Sequence, residues 1–293
     1  MKLMRYGDAG LEVPAVLVPD ADGRERVLDL SPVTRDIDRG FWEAGGPLLV
    51  RDALDRDLLL QELPVSGLRV GAPVARPGKV VCIGLNYRDH AEETGAAIPA
   101  RPVVFMKDPG TVVGPFDTVP IPRGSTKTDW EVELAVVIGR RARYLASPDT
   151  ALEYVAGYAI SNDVSERKFQ LEYSSQWDLG KSCEGFNPLG PVLVSADDVP
   201  DPQSLGLRLH VDGVQRQNGH TKHMIFDVAH LIWYLSQYIV LEPGDLINTG
   251  TPAGVALGLP DAPYLRPGQV VELEIDGLGS QRQTFTAASE ATA

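Results

Sequence analysis

Asp129-Trp130-Glu131-Val132-Glu133-Leu134-Ala135-Val136-Val137-Ile138-Gly139 is the stretch on which the reading of this chain turns. Apolar residues at 132, 134, 136 and 138 recur with period 2, so the segment reads as a strand with those four on one face. The same geometry sets Glu131 and Glu133 side by side on the other face, about 6.5–7 Å apart along the chain. Like charges so placed repel unless they face open water or share a cation. An isolated Glu-x-Glu is most often a pair of solvated carboxylates. Here Ala135 and Val137 continue the glutamate face as apolar positions, which argues against a wet face and toward a metal.

Downstream, Ala159-Ile160-Ser161-Asn162-Asp163 is an apolar strand ending in a carboxylate. Asp163 alone reads as a helix cap, because a helical turn follows that sets Arg167 and Gln170 on one side. As a third member of a trio with Glu131 and Glu133, it suits a hard cation rather than zinc or copper, since no His or Cys joins them. Upstream, Asn86-Tyr87-Arg88-Asp89-His90-Ala91-Glu92-Glu93 places His90 and Glu93 at i and i+3, where one helical turn lets the carboxylate orient the imidazole. A surface His among acids is the commoner explanation of such a pair.

Gly180-Lys181-Ser182 is not a phosphate loop: position 175 is Ser where that pattern needs Gly, and no apolar strand precedes it. Between Glu242 and Val255 a strand opens into a Gly-rich turn whose amides and Thr hydroxyls could face a ligand. By itself that is a turn.

Around these motifs, residues 1–73 read as a small N-terminal α/β module. Short strands are expected at Ala15-Val16-Leu17-Val18 and Arg26-Val27-Leu28-Asp29-Leu30, and helical spacing from 36 to 60. Pro/Gly-rich residues 71–78 form the connection. Residues 74–293 then read as a strand-dominated domain, with strands near 80–85, 102–106, 132–138, 154–160, 191–194, 207–211, 246–249 and 270–275. One helix is clear, its face built by Val228, Leu231, Ile232, Leu235 and Ile239 and its N-terminus capped by Asp227. The Ala/Ser/Thr-rich tail after Thr284 reads as frayed. The fold class is therefore α+β, strand-dominated, a sandwich or barrel-like roll.

The 293 residues can bury a sizeable core, and 43% hydrophobic with 23% charged residues is ordinary for a globular protein. The formal charge of −13 argues against nucleic acid. The cluster Arg140-Arg141-Ala142-Arg143 reads as a solvated turn. No window approaches the roughly 20 apolar residues of a membrane helix, and the start lacks the apolar stretch of a secretory signal. Two cysteines, Cys82 and Cys183, make no disulfide framework and suit a reducing, cytoplasmic compartment.

Taken in order, these motifs resemble the fumarylacetoacetate hydrolase family across about residues 79–282. Gly84-Leu85-Asn86-Tyr87 with His90, the Asp129–Leu134 stretch, Asn162-Asp163-Val164-Ser165-Glu166-Arg167, Gly180-Lys181-Ser182, and Gly244-Asp245 with Thr249-Gly250-Thr251-Pro252 carry the resemblance. It implies a mixed β-roll behind the small N-terminal module, a homodimer, and a divalent cation, Mg²⁺ or Mn²⁺, with Ca²⁺ able to stand in within a crystal. The implied metal ligands are Glu131, Glu133 and Asp163. The implied catalytic residues are His90, Glu93 and Lys181, and Lys107, Arg167, Gln170 and Thr251 match substrate-contacting positions. His220 and His223 match no family position.

The implied substrate is a small 2-oxo acid: a 2,4-dioxo acid, either an acylpyruvate or a 2,4-dioxo-3-deoxy-sugar acid, cleaved at a C–C bond to pyruvate and a second acid. An oxaloacetate-type decarboxylase or a hydroxydiene-dioate isomerase would use the same metal site. A non-catalytic metal-binding scaffold, which predicts loss of the His–Glu pair, is least favoured.

Overall fold

The computed structural model describes residues 1–289 except 21, 57, 59, 65, 66 and 174. Its long mixed sheet runs, in spatial order, through Glu62–Leu63, Glu25–Asp29, Val13–Pro19, Lys2–Tyr6, Asn187–Ser195, Val155–Asn162, Val132–Ile138, Leu246–Asn248, Val80–Gly84 and Val103–Lys107. Most neighbours are antiparallel, but Leu246–Asn248 and Val80–Gly84 pair in parallel. A second sheet orders Val214–His220, Gly206–Val211, Val270–Ile275, Gly279–Ala287 and Val119–Ile121. The strands of the first 71 residues extend the long sheet, because Lys2 and Leu3 pair with Val194 and Leu193.

The Val132–Ile138 strand is buried along its whole length, and its two faces enter different cores. Val132, Leu134, Val136 and Ile138 pack with Leu207, Leu209, Val271 and Phe285 between the two sheets. Ala135 and Val137 pack on the opposite face with Val80, Cys82, Phe41 and Trp42. Each fully buried Val or Leu there contributes roughly 1.5–3 kcal/mol, so the strand is held rigidly from both sides. It is the frame from which the glutamates project.

The strand-dominated α+β reading and the mixed roll hold. Three local expectations do not. The tail after Thr284 does not fray where it is described: Gly279–Ala287 is one strand, paired with Val270–Ile275 and in parallel with Val119–Ile121. Alternation of Gln281, Gln283 and Phe285 into the interior holds it there despite its polar composition. Residues 290–293 lie outside the described chain. The helical spacing from 36 to 60 resolves into two helices, Arg39–Glu43 and Gly46–Asp55, divided at Gly45. The Asp227-capped helix spans Val228–Ser236 and stops short of Ile239. Among the described residues, no helix is long and apolar enough to cross a membrane.

Candidate active site and metal centre

Strand register builds the centre. Val132 faces Asn162 and Glu133 faces Ser161, so Glu131 and Asp163 are the next facing positions. The Asp163 N–H donates to the Glu131 carbonyl at 3.0 Å. Carboxylate oxygens of Glu131, Glu133 and Asp163 come within 4.8 Å of one another, and all three residues are buried. Asp163 is not a helix cap. That role falls to Glu166, which accepts the Lys168 N–H at the start of the Arg167–Leu171 helix.

Three buried cations surround the carboxylates. Lys181 Nζ donates to Glu131 Oε2 at 2.8 Å and stands 3.1 Å from Asp163 Oδ2. That second approach lacks hydrogen-bond alignment, so Asp163 Oδ2 is buried without a hydrogen-bond partner. Arg167 donates to Glu131 Oε1, to Asp129 Oδ2 at 2.8 Å and to Gln170 Oε1 at 3.0 Å. Lys107 donates to Asp163 Oδ1 and to the Val164 carbonyl.

Lys181 reaches this position because its one-turn helix, Asp178–Lys181, packs backbone to backbone on the preceding helix. A Cβ on Gly180 would lie 2.5 Å from both Gln170 N and Glu166 O. The Gly-Lys pair is thus a packing device that delivers an ammonium.

Four carboxylates, Asp129, Glu131, Glu133 and Asp163, face three cations in this buried cluster. The surplus charge falls on Glu133. It accepts the Gly250 N–H at 2.8 Å, and no ammonium or guanidinium among the described residues donates to it. Burial, then the charges of Asp163 and Glu131, push its carboxyl well above the usual range. Burial also pushes Glu131 upward, but Lys181 and Arg167 overcome it and hold that carboxyl at about 2.

An uncompensated buried charge is costly unless paired. An orphaned oxygen and a surplus charge within an all-carboxylate trio fit a hard divalent cation such as Mg²⁺ or Mn²⁺.

A cavity of about 200 Å³ opens over the centre, lined at this end by Glu131, Glu133, Arg167, Gln170 and Lys181, with His90 and Thr251 on its walls. His90 and Glu93 share the Arg88–Glu93 helix, with Nδ1 3.6 Å from Glu93 Oε2. That is too long for a hydrogen bond and leaves Nδ1 buried without a partner. The Thr251 hydroxyl donates to the Val132 carbonyl at 2.9 Å and accepts from Gln217 at 2.8 Å. Lys107 is placed differently from the other expected substrate contacts: its ammonium donates to Asp163, and neither residue is among those that line the cavity. His220 and His223 sit edge to face, their ring centroids 6.4 Å apart, outside the lining.

Sequence reading gave no role to Asp129. Its carboxylate accepts Arg167 Nε and the N–H groups of Ala256 and Leu257, at 2.7 and 3.0 Å. It therefore orients the guanidinium and ties down the Gly-rich loop. The signal was present, since position 129 continues the alternation of 131 and 133.

The fumarylacetoacetate (FAA) hydrolase C-terminal family profile matches residues 79–286, and the chain belongs to that family. A provisionally named hydrolase of Burkholderia multivorans is 52% identical over 289 residues, covering 98% of this chain and 100% of its own. The fumarylacetoacetate hydrolase of Exiguobacterium antarcticum superposes with a TM-score of 0.82 at 36% identity, covering 98% of this chain and 100% of its own. A maleylpyruvate hydrolase of Sphingobium, solved with manganese(II) and pyruvate, superposes at 0.80 with 25% identity, covering 99% and 100%.

Proposed function

We propose that this chain is a divalent-cation-dependent hydrolase that cleaves a C–C bond of a 2,4-dioxo acid, releasing pyruvate and a second carboxylic acid. The observation that carries the reading is the buried trio Glu131, Glu133 and Asp163, with its orphaned oxygen, beneath a cavity that His90 also lines. The manganese and pyruvate in the Sphingobium maleylpyruvate hydrolase support a cation and a 2-oxo acid at such a centre.

In the overall reaction, R–CO–CH₂–CO–COO⁻ and H₂O give R–COO⁻, CH₃–CO–COO⁻ and H⁺. A cation held by the three carboxylates supplies Lewis-acid stabilisation of the negative charge that develops on the 2-oxo oxygen. His90 takes a proton from water as the water oxygen adds to the distal carbonyl. Glu93 orients the imidazole, and closing the 3.6 Å gap at Nδ1 makes it the partner that holds the resulting imidazolium. Lys181 donates to the oxyanion formed at the distal carbonyl. As the C–C bond breaks, its electron pair goes to the pyruvate methylene carbon, and His90 returns the proton there. Arg167 and Gln170 fix the substrate, with Asp129 holding the guanidinium in place.

A solved 2-hydroxyhepta-2,4-diene-1,7-dioate isomerase of Mycobacterium marinum at 30% identity and a TM-score of 0.76 supports isomerisation as the second reading. That chemistry needs proton transfer by His90 but no added water. The deciding experiment follows pyruvate release from acylpyruvates, sugar-derived 2,4-dioxo acids and oxaloacetate, with diene-dioate isomerisation read by absorbance. Turnover of the dienoate or oxaloacetate alone would replace the hydrolase reading.

A further inference from the structure

The lining of the cavity is of two chemical kinds. His90, Glu131, Glu133, Arg167 and Lys181 are its charged or titratable lining groups, and they gather at the carboxylate centre. The rest of the lining carries Leu85, Phe105, Leu171, Trp177 and Leu257 beside Thr94, Gln170 and Thr251, with the Lys181 ammonium 5.0 Å from the Phe105 ring centroid. From this we infer that the part of the substrate away from the 2-oxo acid is an uncharged apolar group, aryl or alkyl, and that Trp177 selects it. The inference rests on the proposed binding of the 2-oxo acid end at the centre.

Three observations carry it. First, Arg167 and Lys181 are the lining cations among the described residues, paired with Asp129, Glu131 and Asp163, and the proposed reaction uses both at its reacting end. Among the described residues no further cation lines the cavity to receive a second carboxylate. Second, the hydroxyls on the walls have their hydrogens committed to backbone, Thr251 to Val132 O and Thr94 to His90 O at 2.9 Å. A polyhydroxylated chain would lose its water contacts there with few donors in return.

Third, the aromatic wall is built rather than incidental. Trp177 precedes Lys181 by four residues, so ring and ammonium stand one helical turn apart. The indole meets Phe105 edge-on at 5.4 Å, and it packs so closely on Gly84 that a Cβ there would lie 2.6 Å away. Leu85, next in the chain to Gly84, holds a left-handed backbone, φ 52°, and also lines the cavity. At the rim Leu171 and Leu257 are 47% and 38% exposed, an apolar entrance with nothing polar gained by it.

The test is a binding measurement, independent of turnover. With Mg²⁺ present, dissociation constants are determined for phenylpyruvate and for 2-oxoadipate, which share the 2-oxo acid end and differ at the other. Phenylpyruvate is expected to bind at least about tenfold more tightly. Trp177→Ala, with folding checked by circular dichroism, should weaken phenylpyruvate about tenfold and 2-oxoadipate less than about twofold.

Leu257→Lys, a rim change that leaves the aromatic wall in place, should tighten 2-oxoadipate. Equal or tighter binding of 2-oxoadipate by the native protein, or an unchanged phenylpyruvate affinity in Trp177→Ala, overturns the inference. Binding with the expected preference but no C–C cleavage would leave this specificity standing and remove the hydrolase reading. Binding of neither compound would remove both.

Discussion

Glu93 accepts the Gly254 N–H on both carboxylate oxygens at 3.0 Å, while its Oε2 stands 3.6 Å from His90 Nδ1. One carboxylate thus joins the short Arg88–Glu93 helix to the Gly-rich loop and faces the imidazole from behind. Glu93→Gln keeps an acceptor for Gly254 but removes the charge that steadies an imidazolium. The expected result is a fall in kcat smaller than the roughly 10²–10⁴-fold attributable to a general base itself. Thermal midpoint and bound metal should be unchanged. A raised KM with kcat intact would show that Glu93 serves ground-state binding instead.

Glu131 and Glu133 should respond oppositely to neutralisation when no metal is present. Glu131→Gln strips charge from the partner of Lys181 and Arg167, leaving both buried cations without the carboxylate that joins them. Removing one member of such a pair costs about 3–5 kcal/mol. Glu133→Gln removes the carboxylate that no cation contacts among the described residues. The chelator-treated Glu133→Gln protein should therefore melt at or above the native temperature, and Glu131→Gln well below it, while both lose Mn²⁺ affinity by calorimetry. Equal destabilisation of the two metal-free variants would refute the charge count.

A second charged cluster ties the N-terminal strands to the rest of the chain. Glu12 accepts from Arg69 at 2.8 Å and Arg5 at 3.3 Å, and Arg69 also reaches Asp117 at 2.6 Å. Burial pushes the Glu12 carboxyl up, but Arg69 and Arg5 outweigh it and leave it below its usual value. A carboxylate with a depressed folded value contributes stability above its unfolded value, about 4.3, and loses it as pH falls through the folded one. Urea unfolding should show a constant stability gap between native protein and Glu12→Gln above about pH 5, narrowing below it. A gap that widens on acidification would contradict this.

The two glutamates of the centre could be read from alternation, because they stand at the start of one rigid strand, Val132–Ile138, and just before it. Period 2 from 129 to 138 put the glutamates on one face, and Ala135 and Val137 marked that face as dry. The neighbouring strand supplied Asp163 by register, which sequence signals only through the apolar run ending at Asn162. What composition hid were contacts made by backbone closeness or by polar residues turned inward. The Gln281 and Gln283 side chains are buried and donate to the Ile160 and Pro115 carbonyls, which anchors a strand that runs on to Ala287, into the Ala/Ser/Thr-rich tail after Thr284 that reads as frayed. The family resemblance implied Lys107 as a substrate contact, and its ammonium donates to Asp163. Its partner, Asp163, lies across the sheet and is invisible to local pattern.

Hydrolysis and decarboxylation part at His90. Cleavage of a 2,4-dioxo acid consumes a water that must lose a proton as it adds to the distal carbonyl, so His90→Ala should lower that rate by roughly 10²–10⁴-fold. Loss of CO₂ from oxaloacetate consumes no water, and the same variant should keep most of any such activity. Glu131→Ala should abolish both reactions, because Glu131 belongs to the carboxylate trio and is the anchor of Lys181 and Arg167. The comparison is two variants against two substrates, with bound metal measured first so that a lost ligand is not mistaken for a lost base. Undiminished dioxo-acid cleavage in His90→Ala would remove the general base and the hydrolase assignment with it. Equal loss of both activities in His90→Ala, with metal retained, would instead make His90 a group that positions the shared 2-oxo acid end.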